Sequence, residues 1–304
     1  MRNLPKVIAI VSLILALQVT LVSADSGASQ AKRYYPVKAQ NVEIVKKATL
    51  KGVPAKPDKT QGKAATGMIG APIPDGGKKY AIVIGISDYP GTSSDLQYGD
   101  KDALEVKRVL TADYGFSVVK LLTDSQATAS NIFAEVNNMR GLLGPSDELV
   151  FFYSGHGAKG KADDGDSNKV DQSIVVWNGS EDDGFAFIWD GQLDALFSGF
   201  PTNRIIFIFD SCLSGGMRVL NDTGRVVNMA CTANGLSYEG DSWGGGHGQF
   251  TYYFVMQGLD AGNADTFAND GIVTVEEAFD YSKLNCVWQT PTIADGFQYD
   301  LNLD

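Results

Sequence analysis

Cysteine is scarce in this 304-residue chain, with three at positions 212, 231 and 286. An odd number leaves at least one thiol without an intramolecular partner. Cys231 and Cys286 could pair, yet Cys231 lies in the apolar run Val226-Val227-Asn228-Met229-Ala230-Cys231, so two separate core thiols is the preferred reading. Histidine is scarcer still: only His156 and His247. Beyond Val22 no apolar run is long enough to cross a bilayer. Basic charge is also short, 25 Lys and Arg against 36 Asp and Glu for a net charge of -11, which excludes a phosphate-backbone partner. Internal repeats are missing, and with 44% hydrophobic residues the chain can bury one full core.

The charge is unevenly spread. Arg2 and Lys6 precede an apolar run from Val7 to Val22 and then Val22-Ser23-Ala24, the pattern of a secretory signal peptide over 1–24. The expected location is therefore secreted or extracytoplasmic, with membrane contact only if that segment is retained. Residues 25–77 carry nine Lys or Arg against four Asp or Glu, five prolines and only two aromatics, and read as a basic linker or pro-segment. The domain from 78 to 304 is left strongly acidic, a field that attracts basic peptides and proteins.

Within that domain, apolar runs alternate with helical spacing. Tyr80 to Ile86, Phe116 to Leu122, Glu148 to Tyr153, Arg204 to Phe209 and Arg225 to Cys231 read as strands. Helices are expected over Asp100 to Tyr114, after a Thr128 cap, and over Asp190 to Phe197, Phe250 to Leu259 and Val275 to Leu284. Short strands without polar alternation predict an α/β fold whose sheet is mostly parallel and covered on both faces. Residues 159–183 read as an acidic loop closed by a β-like Ser173 to Trp177. The segment Asp265 to Glu277 has the composition of a calcium loop but broken spacing; it reads instead as a turn followed by a Thr274/Glu277 capping box.

Two strands run straight into reactive side chains: Phe151-Phe152-Tyr153-Ser154-Gly155-His156-Gly157 and Ile205 through Asp210-Ser211-Cys212. The carboxyl ends of sheet strands are where open α/β folds build their sites. A thiol attacks a carbonyl as thiolate, and an imidazole both generates that thiolate and returns a proton to the leaving amine. His156 and Cys212 are thus the candidates for acyl transfer. His247 sits in a glycine-rich stretch and does not follow a strand, so no role is assigned to it.

These motifs resemble the caspase-like cysteine peptidases, nearer to metacaspases and their prokaryotic relatives than to animal caspases. Tyr80 to Ile86, Ser154-Gly155-His156-Gly157 and Asp210-Ser211-Cys212-Leu213-Ser214-Gly215-Gly216 carry the likeness from about Lys78 onward. The resemblance implies a three-layer sandwich with a mostly parallel central sheet flanked by helices, a His156 base, a Cys212 nucleophile and a thioester intermediate. Gly157 and Cys212 would offer N–H groups to the oxyanion. It also implies that Asp210 and, through Leu96-Gln97-Tyr98-Gly99-Asp100-Lys101-Asp102, Asp102 line a pocket selecting Arg or Lys.

No cofactor is required for that chemistry; calcium is the ion the resemblance implies, through Asp171 and Asp190. Gly191 and Val219 stand where the family carries further aspartates, so backbone carbonyls, waters, or Asp163, Asp164 and Asp166 would have to contribute. Two other readings stay open: a catalytically silent peptide-binding module, and a legumain-like or gingipain-like peptidase. Two further expectations concern the site. A pro-segment cation, from Lys32, Arg33, Lys46 or Lys47, could fill the acidic pocket in cis, and a protonated His156 would offset the carboxylates that oppose thiolate formation.

Overall fold

The computed structural model of the chain describes residues 31–51, 63–167, 169–180, 182, 184–266 and 269–303. The expected signal peptide lies outside them, and among the described residues no helix is long and apolar enough to cross a membrane. In chain order the elements are β1 (Ala39–Val45), β2 (Ala48–Leu50), β3 (Lys79–Gly85), α1 (Gly99–Ala112), β4 (Val118–Thr123), α2 (Ala129–Leu142), β5 (Glu148–Ser154), β6 (Gly157–Ala162), β7 (Asp171–Trp177) and β8 (Phe185–Trp189). They continue with α3 (Asp190–Phe197), β9 (Ile205–Asp210), β10 (Arg225–Met229), β11 (Tyr238–Gly240), β12 (His247–Gly248), α4, α5 (Val275–Asn285) and β13 (Thr292–Asp295). Helix α4 starts at Gln249–Thr251 and continues with π geometry over Tyr252–Asp260, where a regular α-helix was expected.

The main sheet has the order β13-β10-β9-β5-β3-β4. Its strands are parallel except β13, which pairs with β10 antiparallel and was not foreseen. Alternation along each buried strand builds two cores. Ile82, Ile84, Phe151, Tyr153, Phe207 and Phe209 face α2 and α3. Ala81, Val83, Val150, Phe152, Ile206 and Ile208 face α1, α4 and α5. Because side chains alternate faces with period two, continuous apolar strands oblige helices on both sides. That gives the three layers the resemblance implied.

Cap chemistry fixes the helix starts. Thr128 accepts the Asn131 N–H at 3.0 Å, and Thr274 with Glu277 closes a capping box at α5. Just before α5, Asp265 accepts the N–H groups of Asp270 and Gly271 at 3.1 and 2.8 Å, the turn expected there.

A second sheet, β1-β6-β7-β8, is antiparallel throughout. It takes residues 159–162 out of the expected acidic loop, because β6 follows β5 after only two residues and pairs with β7. A third, small sheet runs β12-β11-β2. The described parts of residues 25–77 therefore do not trail from the domain: β1 pairs with β6 and β2 with β11. Further along, Asp280 accepts the Ala64 and Ala65 N–H groups, and Asp300 those of Thr66 and Gly67.

Candidate active site

Strand β5 ends at Ser154 and strand β9 at Asp210, and the two are paired in register at those residues. Two positions further on, each chain carries its reactive group, so His156 and Cys212 arrive side by side because their strands are neighbours. Gly157 packs against the Cys212 backbone: a Cβ there would lie 1.9 Å from the Cys212 carbonyl oxygen. Leu213 follows in the left-handed region at φ 62°, a conformation a branched side chain rarely adopts. It turns the chain sharply and is anchored by its N–H to the Gly235 carbonyl at 2.9 Å.

His156 is held from three sides. Its ring stacks on Tyr89 with centroids 4.6 Å apart, its backbone N–H donates to the Tyr89 hydroxyl at 2.8 Å, and Nε2 donates to the Ser94 carbonyl at 2.7 Å. That last bond leaves Nδ1 with its lone pair as the basic atom. Nδ1 accepts the Lys47 N–H at 3.0 Å. On the other side, Cys212 Sγ accepts the Ser237 N–H at 3.2 Å and donates toward the Lys46 carbonyl at 3.5 Å. The Lys46–Lys47 peptide therefore lies between His156 Nδ1 and Cys212 Sγ. Burial first, then the Lys46 and Lys47 charges, push His156 down to about 4. Burial pushes the Cys212 thiol up to about 12. With the peptide in place both groups are neutral at pH 7, and the protonated histidine expected from sequence does not form.

Beyond that peptide, the Lys47 side chain enters a pocket of carboxylates with no solvent exposure. Its Nζ lies 3.0 Å from Asp210 Oδ1 and 3.6 Å from Asp102 Oδ2, and donates to Ser154 Oγ at 3.1 Å. The two aspartates are themselves braced. Asp210 accepts from Ser237 Oγ at 2.6 Å and from the N–H and Oγ1 of Thr251 at 2.9 and 2.8 Å. Asp102, on α1, accepts from Ser154 Oγ at 2.7 Å and from Gly248 N–H and His247 Nδ1 at 3.0 Å each. Burial alone would discharge Lys47; Asp210, Asp102 and Glu239 outweigh it and raise its pKa.

The structure thus brings together His156, Gly157, Cys212, Asp102 and Asp210, and selects Lys47 from the four pro-segment cations. His247 does not stand apart: it pairs with Asp102. Ser237, Glu239 and Thr251 also belong to the site and carry no local sequence signal, since each reaches it by long-range pairing.

Asp171 and Asp190 lie in a different cluster, with Asp164 and Asp166, whose ligand atoms all fall within 4.8 Å of one another. Both Asp190 oxygens and one each of Asp164 and Asp171 are buried without a hydrogen-bond partner among the described residues. Gly191 accounts for one departure from the family pattern. A Cβ at 191 would lie 2.7 Å from Asp164 Oδ2, which accepts the Gly191 N–H at 3.0 Å, so the Asp164 carboxylate fills the space a side chain at 191 would need. Burial first, then Asp164, Asp166 and Asp171, push Asp190 up to about 8. None of the three cysteines is disulfide-bonded, and all are buried, as expected for Cys231 and Cys286.

Comparison with known proteins bears on the family and the fold. The sequence model of the Peptidase C14 caspase domain matches residues 78–279. Metacaspase-8 of Arabidopsis thaliana is 33% identical over 150 residues, 46% of this chain and 38% of that protein. Metacaspase-1 of Schizosaccharomyces pombe is 32% identical over 152 residues, covering 46% of this chain and 35% of the relative. The matched region therefore spans little more than a third of those relatives. A solved structure, protein GSU0716 from Geobacter sulfurreducens, superposes with a TM-score of 0.52 at 19% identity, over 73% of this chain and 95% of that one, a likeness of fold. With the family's sequence model matched across the strands that carry His156 and Cys212, the chain belongs to the caspase-domain family of cysteine peptidases and is of metacaspase type.

Proposed function

We propose that the protein is an exported cysteine endopeptidase that cleaves after Arg or Lys and is held latent by its own residues 46–47. The observation that carries this reading is the Lys47 ammonium, fully buried between Asp210 and Asp102. A cavity that closes on one basic side chain of its own chain is the right size and charge for another, and an arginine fork would pair bidentately with Asp210.

In the working enzyme His156 Nδ1 takes the Cys212 proton as Sγ attacks the carbonyl carbon of the basic residue. The N–H groups of Gly157 and Cys212 receive the oxyanion. Imidazolium then gives its proton to the leaving nitrogen, the C–N bond breaks, and a thioester remains. Water, deprotonated by the same Nδ1, hydrolyses that thioester and returns the thiol.

The internal lysine is laid out as a plug rather than a substrate. Cleavage after a pocket residue needs that residue's own carbonyl at the thiol and the next residue's nitrogen at the imidazole. Here the carbonyl at the thiol belongs to Lys46, the nitrogen at the imidazole to Lys47, and the Ala48 N–H is engaged by the Ser237 carbonyl at 3.4 Å. The chain crosses the cleft in the reverse direction, which leaves the Lys47–Ala48 bond out of reach. Fluorogenic peptides ending in Arg, Lys or Asp test the reading. Turnover of Arg and Lys peptides by the Lys47→Ala protein, lost in Lys47→Ala with Cys212→Ala, supports it; turnover after Asp alone overturns the specificity.

Calcium fits the second cluster: four hard carboxylates, with buried oxygens lacking partners, suit an ion that takes six to eight oxygens at 2.3–2.6 Å. Asp164, Asp166, Asp171 and Asp190 would hold it, and bound there it would supply charge neutralisation and rigidity rather than a chemical step.

A further inference from the structure

We infer that Glu239 forms a second acidic subsite, which reads the substrate side chain two positions from the basic residue and favours a lysine, an arginine or a hydroxyl there. The inference rests on the peptidase reading above and names a specificity that reading leaves open.

Glu239 lies at the centre of β11, two residues beyond Ser237, whose N–H meets the Cys212 sulfur. Its side chain is wholly buried under β2, with a register that sets Glu239 opposite Thr49. Oε1 accepts the Gln97 N–H at 2.9 Å and the Thr49 hydroxyl at 2.8 Å. Oε2 is buried and has no hydrogen-bond partner among the described residues. A carboxylate oxygen in that state costs free energy that a donor would recover, so the site offers more acceptor capacity than Thr49 uses.

Geometry ties this acceptor to the pocket. Lys47 and Thr49 are two apart, so in an extended chain both side chains fall on one face. One enters the Asp102 and Asp210 pocket, the other reaches Glu239. A peptide that displaces β2 adds to the same strand, and the period of two holds whichever way its chain runs. When the residue before cleavage fills the pocket, the one two positions earlier lies over Glu239. An ammonium there would reach both oxygens, and a carboxylate would meet a buried like charge.

The test uses the full chain carrying Lys47→Ala and four reporter peptides of the form X-Ala-Arg, with Lys, Thr, Ala or Glu at X. The expected kcat/KM ranking is Lys, Thr, Ala, Glu, with on the order of tenfold between Lys and Ala. Adding Glu239→Gln, which keeps an acceptor for Gln97, should abolish that ratio while leaving the preference for Arg over Asp in the pocket. Equal turnover of the four peptides, or a ratio unchanged when Glu239→Gln is added, overturns the inference alone. If no peptide is turned over, the peptidase reading itself fails. The same peptides, labelled and titrated into Lys47→Ala with Cys212→Ala, then decide: the same ranking of affinities sustains the subsite, and equal affinities remove it.

Discussion

Asp102 and Asp210 form one buried carboxylate cluster, and Asp164, Asp166, Asp171 and Asp190 another, yet the two are neutralised differently. The first holds a cation supplied by the chain, Lys47, and hydroxyl and N–H donors satisfy the remaining oxygens. In the second, no such cation among the described residues offsets the charge at Asp190, which is pushed up to about 8 by burial and by its three neighbours. Buried negative charge is tolerated with a counter-charge or with a proton, and rarely otherwise. A reader of the sequence alone sees aspartates in both places; only the fold distinguishes the pair that holds a lysine from the group that holds a raised Asp190.

The strongest way to break this contrast is to remove a filled-pocket partner. Asp210→Ala strands the Lys47 ammonium in a dry site and should cost about 3–5 kcal/mol in urea unfolding. Adding Lys47→Met should restore part of the loss, since the uncompensated charge goes with it. In the other cluster the expected sign is opposite: Asp190→Asn should stabilise the calcium-free protein at pH 8 and erase any calcium response.

Access to the nucleophile sharpens the same comparison. In Lys47→Ala the cleft opens, and alkylation of Cys212 by iodoacetamide at pH 7.5 should accelerate at least tenfold over the native chain, read by intact mass with Cys212→Ala as the blank. A native chain labelled as fast would show that residues 46–47 do not cover the thiol.

Acidity separates the clusters next. With a folded pKa near 8 against an ordinary aspartate value near 4, Asp190 binds a proton in the native state that the unfolded chain has lost. Its contribution to calcium-free stability is present in full below about pH 4 and is lost as pH rises toward 8. Calcium must displace that proton, so its affinity should climb up to roughly tenfold per unit to pH 8 and level beyond, by calorimetric titration. Glu276, buried and raised to about 9, adds a similar decline that calcium does not touch. The smallest effect belongs to the exposed Lys159 and Glu43 pair, 3.1 Å apart: Glu43→Gln should change stability by less than about 1 kcal/mol.

How much of this was legible follows from range. His156, Cys212 and Asp210 sit at strand ends, where an apolar run followed by a polar break is a local signal, and the helices announced themselves by spacing and caps. Asp102 was legible only through its motif. Lys47 could not be told from Lys32, Arg33 or Lys46 because the choice depends on two strand registers, β1 on β6 and β2 on β11. Glu239, Thr251 and His247 are brought in by pairings more than 140 residues long in the case of His247 and Asp102. Asp164 was a candidate without a reason until the space above Gly191 showed one. The neutral state of His156 and Cys212 was hidden for another cause: burial under the pro-segment is a property of the folded chain, and sequence reports charges, not depth.

The pairing of β1 with β6 carries one more consequence. Removing β1 would turn β6 into an edge strand with unpaired backbone groups, the kind of border on which proteins aggregate. Lys159 and Lys161 stand on that border, Lys159 tied to Glu43 of β1. Without β1 their charges would repel a second strand, so the border would carry its own guard against edge-to-edge pairing.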